Sequence, residues 1–326
     1  MQTIYYKKLV NLLLNEAGIG IIFVFLCALF AVFVPNFASL NNISNIFTQI
    51  SINTVISTGM TFVILLGGID LSVGSVLSLC TILAGMTITN KDLSLSAAVM
   101  GAVGISLLCG MACGLFNGFV AEKWKVHSFV VTLGMLNIAR GAALQISGSR
   151  TIFSFPPAFN AFGSMSLKGL PVIFILAVTG VLLGHLVLKK TVFGRMIYAI
   201  GNNEEAVRLC GHNTRAYKIS AFVLCGACVG VAAIMYMLRL NIASPILGTG
   251  FELSAIAAVV IGGTSMSGGK GSLIGTLIGA AIIGVLNNGL LLLGMKDFAR
   301  QIVTGLIIVA AVVLDTYRVR LSRMLS

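Results

Sequence analysis

The sequence is poor in charge. Only 9% of its 326 residues are Asp, Glu, Lys or Arg, whereas an ordinary soluble domain carries about 25%. Hydrophobic types make up 58% of the chain, and the mean hydropathy is +1.05. A soluble globule could not cover its surface with so few charges. The composition therefore excludes a soluble enzyme and a nucleic-acid-binding protein, and it predicts an integral membrane protein.

Acidic residues are scarcer still. Nine Asp and Glu stand against 21 Lys and Arg, which gives a formal net charge of +12. A secondary transporter that couples uptake to protons or sodium uses ionisable side chains within its spans. So few acids argue against ion coupling, although a self-sufficient secondary transporter or a channel remains the alternative. We interpret the basic excess as loop charge on one face of a membrane.

The sequence also lacks the patterns of a catalytic or cofactor site. Its three histidines and seven cysteines form no set at metal-ligand spacing, and Cys225 and Cys228 lie in a segment of membrane-spanning length. Residues 263–272 approach the phosphate-binding pattern G-x-x-x-x-G-K-[ST]. Thr264 stands where the first glycine is required, however, and Gly271 where Ser or Thr is required. We therefore expect no enzyme activity, no metal and no cofactor.

Apolar runs are what the sequence has in abundance. A membrane-spanning helix needs about 20 mainly apolar residues. Ten segments approach that description, at 18–35, 52–67, 71–88, 94–121, 129–148, 170–188, 219–238, 246–263, 273–293 and 298–315. They predict an all-α fold, a polytopic membrane helix bundle of about ten transmembrane helices.

Basic residues in the connecting segments predict the orientation. If the N-terminus is cytoplasmic, ten spans place most Lys and Arg on the cytoplasmic side. These include Lys7, Lys8, Arg318, Arg320 and Arg323 near the ends of the chain. Both termini are therefore predicted to be cytoplasmic. No connecting segment reaches the roughly 50 residues of a separate domain, so residues 1–326 should form one membrane domain, and an ATP-driven or ligand-capturing module must be another chain.

Three ionisable residues fall within or beside the predicted spans. A charge at the centre of a span costs roughly 2.5–3.5 kcal/mol, so such residues usually have a partner or a function. They are Asp70, Arg140 and Glu252. Asp70, in a motif with Ser72 and Gly74, either caps the following helix or takes part in the pathway or gate. Glu252 has the same two interpretations, and Arg140 must face the bundle interior or water.

Amide side chains are the better-supplied polar group in the predicted spans. They are Gln49, Asn53, Asn117, Asn137, Asn287 and Asn288. Amides can hydrogen-bond the hydroxyl groups of a neutral solute, and the alternative is hydrogen bonding between helices. Asn287 and Asn288 are the preferred pathway candidates, with Asn53, because two adjacent amides in one span cannot both meet the same partner helix.

The polar segment 189–218 contains the pattern of a short helix. Asn202 or Asn203 can cap it, Glu204 and Glu205 suit its positive N-terminal end, and Gly211 is a natural stop. A helix of two turns is not stable alone in water, so it needs a surface to lie against. That surface is either a partner on the cytoplasmic face or this chain itself.

Glu205-Ala206-Val207-x-x-x-Gly211 resembles the E-A-A-x-x-x-G motif with which ABC importer permeases dock onto their ATPase subunit. Residues 201–211, 68–75 and 250–265 are similar to ribose-type sugar permeases in particular. The resemblance covers roughly 20–315. The sequence departs from the general motif at Val207, which replaces the second Ala, and it has no downstream Ile-x-Leu-Pro.

The resemblance implies an assembly in the inner membrane. Such permeases work as two membrane subunits, here a homodimer surrounded by lipid, with two ATPase domains and an extracytoplasmic sugar-binding protein. It assigns ATPase coupling to Glu204, Glu205, Ala206, Arg208 and Gly211. Ribose and allose permeases are the most similar in pattern. Xylose, arabinose, galactofuranose and autoinducer-2 permeases share the motifs, so the sugar stays open.

Overall fold

The computed structural model describes residues 16–325, and the side chains of 314–325 and of the first two residues lie outside that description. Lys7 and Lys8, and the side chains of Arg318, Arg320 and Arg323, therefore fall outside the described part. Residues 16–325 form thirteen α-helices and four two-residue strands.

The helices are α1 (Glu16–Phe33), α2 (Leu40–Leu65), α3 (Val73–Ile88), α4 (Leu95–Trp124), α5 (Ser128–Ser147), α6 (Pro157–Ser164), α7 (Val172–Lys190), α8 (Val192–Asn202), α9 (Glu204–Leu209), α10 (Thr214–Leu240), α11 (Phe251–Ile261), α12 (Leu273–Leu292) and α13 (Asp297–Leu325). The strands are β1 (Ile152–Phe153), β2 (Ser166–Leu167), β3 (Leu170–Pro171) and β4 (Ile242–Ala243). They form two antiparallel pairs, β1 with β4 and β2 with β3. The predicted all-α fold is confirmed.

Each predicted apolar segment contains one helix, but not all of these helices are long enough to cross a membrane. Within the described residues, six helices are long and apolar enough, namely α2, α4, α5, α7, α10 and α12. Three shorter apolar helices are residues 18–33 of α1, α3 and α11. The described part is thus a polytopic helical bundle, and a total of ten spans remains a prediction.

Two predicted boundaries are wrong. The helix predicted to begin at 52 begins at Leu40, because Ser39 caps α2 by accepting a hydrogen bond from the Asn42 backbone N–H. The segment predicted at 246–263 contains only the eleven residues of α11, because 245–250 form turns. In both places polar and turn residues lie inside the bundle, which hydropathy alone does not reveal.

Two non-helical stretches precede the short helices α3 and α11. Residues 66–72 run along α5, where the Ile69 N–H donates to Ser128 Oγ at 3.1 Å and the Leu71 N–H donates to Thr132 Oγ1 at 3.1 Å. Irregular backbone within a membrane protein needs such internal partners. Residues 241–250 run along α3, and Ser78 Oγ donates to the Ser244 carbonyl at 3.0 Å. Both stretches are therefore supported by neighbouring helices.

The segment α8–α9 is attached to one end of the bundle. The Gly269 N–H donates to the Leu65 carbonyl at 2.9 Å, and Asn202 Nδ2 donates to the Gly269 carbonyl at 3.3 Å. Gly201 lies so close to Leu65 and Gly269 that any Cβ there would overlap their backbone. The ends of α2, α8 and the α11–α12 turn thus meet at one point, and the β1–β4 pair lies near the far end of α3, where Gly85 packs on Ala243 and Ile152.

Candidate functional site

The short helix predicted in 189–218 is α9, and its cap is Asn203. Asn203 Oδ1 accepts a hydrogen bond from the Ala206 backbone N–H at 3.0 Å, and Glu204 and Glu205 occupy the first turn. Gly211 follows with φ 84°, a conformation that glycine adopts without strain. The local sequence pattern therefore produces the helix that it predicts.

The outer side of α9 is exposed. Ala206 and Arg208 are exposed, and Arg208 Nη2 lies 2.7 Å from Glu205 Oε1. Both side chains of that pair are solvated, so it contributes little stability. Leu209 is 78% exposed, an unusual position for a large apolar side chain beside charged ones. We call Glu205, Ala206, Arg208 and Leu209 the outer face of α9.

The inner side of α9 joins the bundle through charge. Glu204 accepts hydrogen bonds from Lys218 Nζ at 2.5 Å and from Thr214 Oγ1 at 3.1 Å. Lys218 also pairs with Glu122 at 3.1 Å, and Lys125 pairs with Glu122 at 3.2 Å. Of the predicted coupling residues, Glu204 alone points inward in this way. Sequence reasoning missed Lys218 and Glu122, which no local pattern connects to α9.

This environment sets the charge of Glu204. Burial raises the pKa of its carboxyl, but the hydrogen bond and charge of Lys218, the Thr214 hydroxyl and the charge of Lys125 lower it more, so that the net pKa lies below its usual range. The carboxylate is therefore ionised at neutral pH. Beside it lies a cavity of about 240 Å³ whose lining includes Gly67 and Gly68.

Asp70 organises the turn before α3. The side chain is buried, and its Oδ1 accepts hydrogen bonds from the Ser72 N–H at 2.8 Å and the Ser72 hydroxyl at 2.6 Å. Asn117 Nδ2 of α4 donates to Ser72 Oγ at 3.0 Å and to Asp70 Oδ2 at 3.4 Å. These contacts form a local turn before α3 rather than a helix cap, because the N-cap residue is Ser72 and it makes no side-chain cap hydrogen bond; a part in the pathway or gate stays a prediction.

Gly74 and Glu252 meet where α3 and α11 begin. A Cβ on Gly74 would overlap the Gly248 carbonyl oxygen and the Glu252 carboxylate. Glu252 Oε1 accepts from the Gly250 N–H at 3.1 Å, which is a local turn contact rather than a helix cap. The four residues Asp70, Ser72, Gly74 and Glu252 therefore belong to one junction between two short helices.

Arg140 holds the backbone that leads into α11. Its Nη1 donates to the Pro245 carbonyl at 2.6 Å and to the Leu247 carbonyl at 2.8 Å, and its Nη2 donates to Thr249 Oγ1 at 3.3 Å. An arginine presents several donors in a fixed planar geometry and accepts none. It therefore satisfies carbonyls of an irregular segment that has no helical partners, and it faces the protein interior as predicted.

A cavity of about 230 Å³ lies between α2, α10, α11 and α12. Its polar lining residues are Gln49, Asn53, Tyr236, Arg239, Ser254 and Asn287. Asn53 and Asn287, predicted from sequence, are thus brought together from α2 and α12. Asn53 Oδ1 is buried and has no hydrogen-bond partner among the described residues, and buried polar groups normally have one. The cavity is therefore the polar site of the bundle interior.

Asn288 lies elsewhere. Its Oδ1 accepts from Asn42 Nδ2, and its Nδ2 donates to Asn42 Oδ1, both at 2.9 Å. Both side chains are buried, and the cavity lining does not include Asn288. The adjacent amides of α12 therefore have different surroundings, and Asn288 has the interhelical partner that was the alternative interpretation.

Arg239 and Tyr236 were missed as cavity residues. Arg239 falls one residue beyond the predicted segment 219–238 although the helix continues to Leu240, so the reasoning applied to Arg140, a charge within a span, did not reach it. A second missed signal is internal. The tripeptide at 70–72, Asp-Leu-Ser, has a near copy at 252–254, Glu-Leu-Ser, and each stands at the start of a short apolar helix. Sequence repetition thus marks the two helices whose beginnings meet.

An all-helical bundle with six helices that can cross a membrane, an internal polar cavity and a protruding short helix defines a multi-pass membrane transport component. Residues 42–312 match the family described as "Branched-chain amino acid transport system / permease component". Because the match covers most of the chain, the protein belongs to this permease family.

Curated relatives extend over nearly the whole chain. The ribose import permease protein RbsC of Escherichia coli (strain K12) is 41% identical over 295 residues, which cover 89% of this chain and 90% of that protein. The D-allose transport system permease protein AlsC of the same strain is 36% identical over 303 residues, covering 92% and 91%. Its L-arabinose transport system permease protein AraH is 36% identical over 309 residues, covering 95% and 93%. No solved structure gives a significant match.

Proposed function

We propose that this chain is the membrane-spanning permease subunit of an ATP-driven ABC importer that carries a monosaccharide across the inner membrane. The observation that carries the proposal is α9, a short capped helix whose outer face is exposed and whose inner face is bonded to the bundle. The outer face of α9 is where an ATPase subunit would bind and supply the energy for transport. The relatives named for ribose, D-allose and L-arabinose support the sugar class.

The internal cavity suits a neutral, hydroxylated solute. Amide groups donate and accept hydrogen bonds, whereas a guanidinium only donates them. Asn53, Asn287 and Arg239 together can therefore bind sugar hydroxyls that act as donors or as acceptors. Among the described residues that line it there is no carboxylate, which fits an uncharged solute better than a cation. We assign the substrate pathway to this cavity and leave Asn288 out of it. Ribose, allose and arabinose are the sugars to test.

The partners follow from the same placement. We assign ATPase docking to Glu205, Ala206, Arg208 and Gly211, with Leu209 as an apolar contact, and we place α9 on the cytoplasmic side. With ten spans, both termini are then cytoplasmic, and the segment 189–218 is a cytoplasmic coupling segment within a single domain. A second permease copy, an extracytoplasmic sugar-binding protein and membrane lipid complete the assembly. The junction formed by Asp70, Ser72, Gly74 and Glu252 serves as a structural element of the gate.

Reconstitution in proteoliposomes tests the proposal. We expect uptake of radiolabelled D-ribose, D-allose or L-arabinose only when the ATPase subunit, the binding protein and ATP are all present. Accumulation of sugar by the isolated chain under a proton or sodium gradient would instead establish the alternative, a self-sufficient secondary transporter. Passive equilibration by the chain alone would indicate a channel.

The docking assignment has its own test. Glu205→Lys reverses a charge on the outer face of α9 and breaks the pair with Arg208, so charge complementarity with a docked ATPase subunit is lost and their association should weaken by about tenfold or more. Asp92→Lys is the matched control, because it makes the same charge change at an exposed acid in the loop between α3 and α4. Normal co-purification of the ATPase with the Glu205→Lys permease would contradict the assignment.

A further inference from the structure

Lys218 joins three elements at the end of the bundle that carries α9. It lies in the second turn of α10, and its ammonium lies between Glu204 of α9 and Glu122 of α4, at 2.5 Å and 3.1 Å. Lys125, just after α4, pairs with the same Glu122 at 3.2 Å. One cation is therefore shared by carboxylates that come from two different helices.

The burial of this cluster makes it more than a surface ion pair. The side chains of Lys218 and Glu122 are only 19% and 11% exposed, whereas both members of the Glu205–Arg208 pair on the outer face are mostly exposed. Partly buried pairs are screened little by salt, and removal of one partner leaves an uncompensated charge. The inner pairs therefore constrain α9 far more than the outer pair does.

The two helices that meet at Lys218, α10 and α4, also contact the cavity and the turn before α3. Helix α10 is continuous from Lys218 to Tyr236 and Arg239, which line the cavity, and at 1.5 Å per residue the distance from Lys218 to Tyr236 is about 27 Å. Helix α4 carries Asn117, which bonds to Asp70 and Ser72 before α3. Helix α10 thus runs from the cluster to the cavity, whereas α4 ends at the cluster and carries Asn117 about a turn and a half before Glu122.

We propose that Lys218 is the positioning residue that transmits movement of α9 into the membrane bundle, by holding Glu204 of α9 and Glu122 of α4 on the first part of α10. This inference rests on the proposed function. A displacement of α9 then moves α4 and α10 together, because the ion pairs prevent the loops at 203 and 210–213 from absorbing the movement. The cavity beside the cluster, lined in part by Gly67 and Gly68, provides space for this movement.

The test uses the whole transporter, purified from its own host membranes through a tag on the permease and reconstituted with its binding protein. Two quantities are measured, the ATPase subunit bound per permease and the labelled sugar delivered per ATP hydrolysed, with D-ribose, D-allose and L-arabinose supplied separately. For Lys218→Met we expect normal ATPase binding and a fall of about tenfold or more in sugar delivered per ATP, as for a coupling of ordinary size. Lys218→Arg keeps the charge and should restore most of the ratio.

Arg215→Met is the matched control, because Arg215 is an exposed basic residue in the same first part of α10. If Lys218→Met does not fold, as judged by gel filtration and melting temperature, Glu204→Gln takes its place, since it breaks the link to α9 and leaves the Lys218–Glu122 pair. An unchanged ratio in whichever variant is folded would overturn the proposal. Loss of ATPase binding would overturn it too, since it would place the cluster in docking rather than transmission.

The same measurements distinguish a wrong proposed function from a wrong role for Lys218. If the wild-type assembly shows no ATP-dependent uptake, the proposed function is wrong and the role of Lys218 is refuted with it. If the wild type transports and the Lys218→Met transporter delivers as much sugar per ATP, the proposed function stands and only the role of Lys218 is refuted.

Discussion

Asn287 and Asn288 are adjacent in α12, and they should respond in opposite ways to the same truncation. Asn288 exchanges two hydrogen bonds of 2.9 Å with Asn42, whereas Asn287 lines the cavity. We expect Asn288→Ala to lower the free energy of unfolding and Asn287→Ala to lower sugar transport. Each variant is the matched control of the other, because the residue type, the helix and the depth are the same.

The size of the stability effect can be worked from the contacts. Side-chain hydrogen bonds between membrane helices contribute about 0.6 kcal/mol on average, so the two bonds together contribute about 1.2 kcal/mol. Asn288→Ala also leaves Asn42 Oδ1 buried without a donor, which costs about 1–3 kcal/mol in general. The Nδ2 of Asn42 keeps its bond to the Phe37 carbonyl at 2.8 Å. The two contributions together predict a loss of roughly 2–4 kcal/mol.

The assay is a double-mutant cycle of Asn42→Ala and Asn288→Ala, unfolded with SDS in mixed micelles. The fluorescence of the single tryptophan, Trp124, and circular dichroism report unfolding. The coupling energy between the two positions should be about 1 kcal/mol, while distant and independent sites add within about 0.3–0.5 kcal/mol. Additivity within that margin, or a loss of transport by Asn288→Ala at full stability, would refute this assignment of the two amides.

Two further predictions concern the junction and the inner face of α9. Gly74→Val should destabilise the bundle by about 1–3 kcal/mol through overpacking against Gly248. The control is Gly104→Val, at a glycine whose added Cβ meets nothing within 4 Å. Equal melting temperatures of the two variants would contradict the prediction. Because the pKa of Glu204 is depressed below its ordinary value of 4.5, its charge stabilises the fold fully above that value and progressively less as pH falls through the lower folded pKa. The difference in melting temperature between wild type and Glu204→Gln should thus be constant from neutral pH to about pH 5 and shrink below it, and a difference that grows on acidification would show that the carboxylate is not the stabilising form.

The existence of the helices could be predicted because a run of apolar residues is visible in the local sequence. The ten apolar segments each contain a helix, and α9 follows from its cap, its acidic first turn and Gly211. The start of α11 could not be predicted, because residues 246–250 are apolar or small enough to pass for part of a span, whereas α3 begins at 73, two residues from the predicted 71. What ends the helices there is a set of tertiary contacts with Ser128, Thr132 and Arg140.

The composition of the candidate sites could be predicted better than their geometry. When a membrane helix is apolar on all sides, its sequence does not show which side packs on the protein and which side faces lipid. Asn53, Asn287 and Asn288 were candidates because amides can hydrogen-bond the hydroxyl groups of a solute, but Asn288 bonds instead to Asn42, 246 residues away in the sequence. In the sequence Lys218 is one of several basic residues of the segment 189–218, and only the fold brings it between Glu122 and Glu204.

The packing of α4 on α10 limits how the cavity can open. Gly110 lies against the Gly226 backbone, and Gly114 against the backbone of Phe222, so the two helices touch through their main chains. Side chains that could change rotamer and let one helix slide are absent from these contacts, and close small-residue packing of this kind is rigid. The cavity is lined by Arg239 of α10 and Asn287 of α12 and, among the described residues, by none of α4. We therefore expect it to open by movement of the α4–α10 pair as one body away from α11 and α12, rather than by deformation of α10.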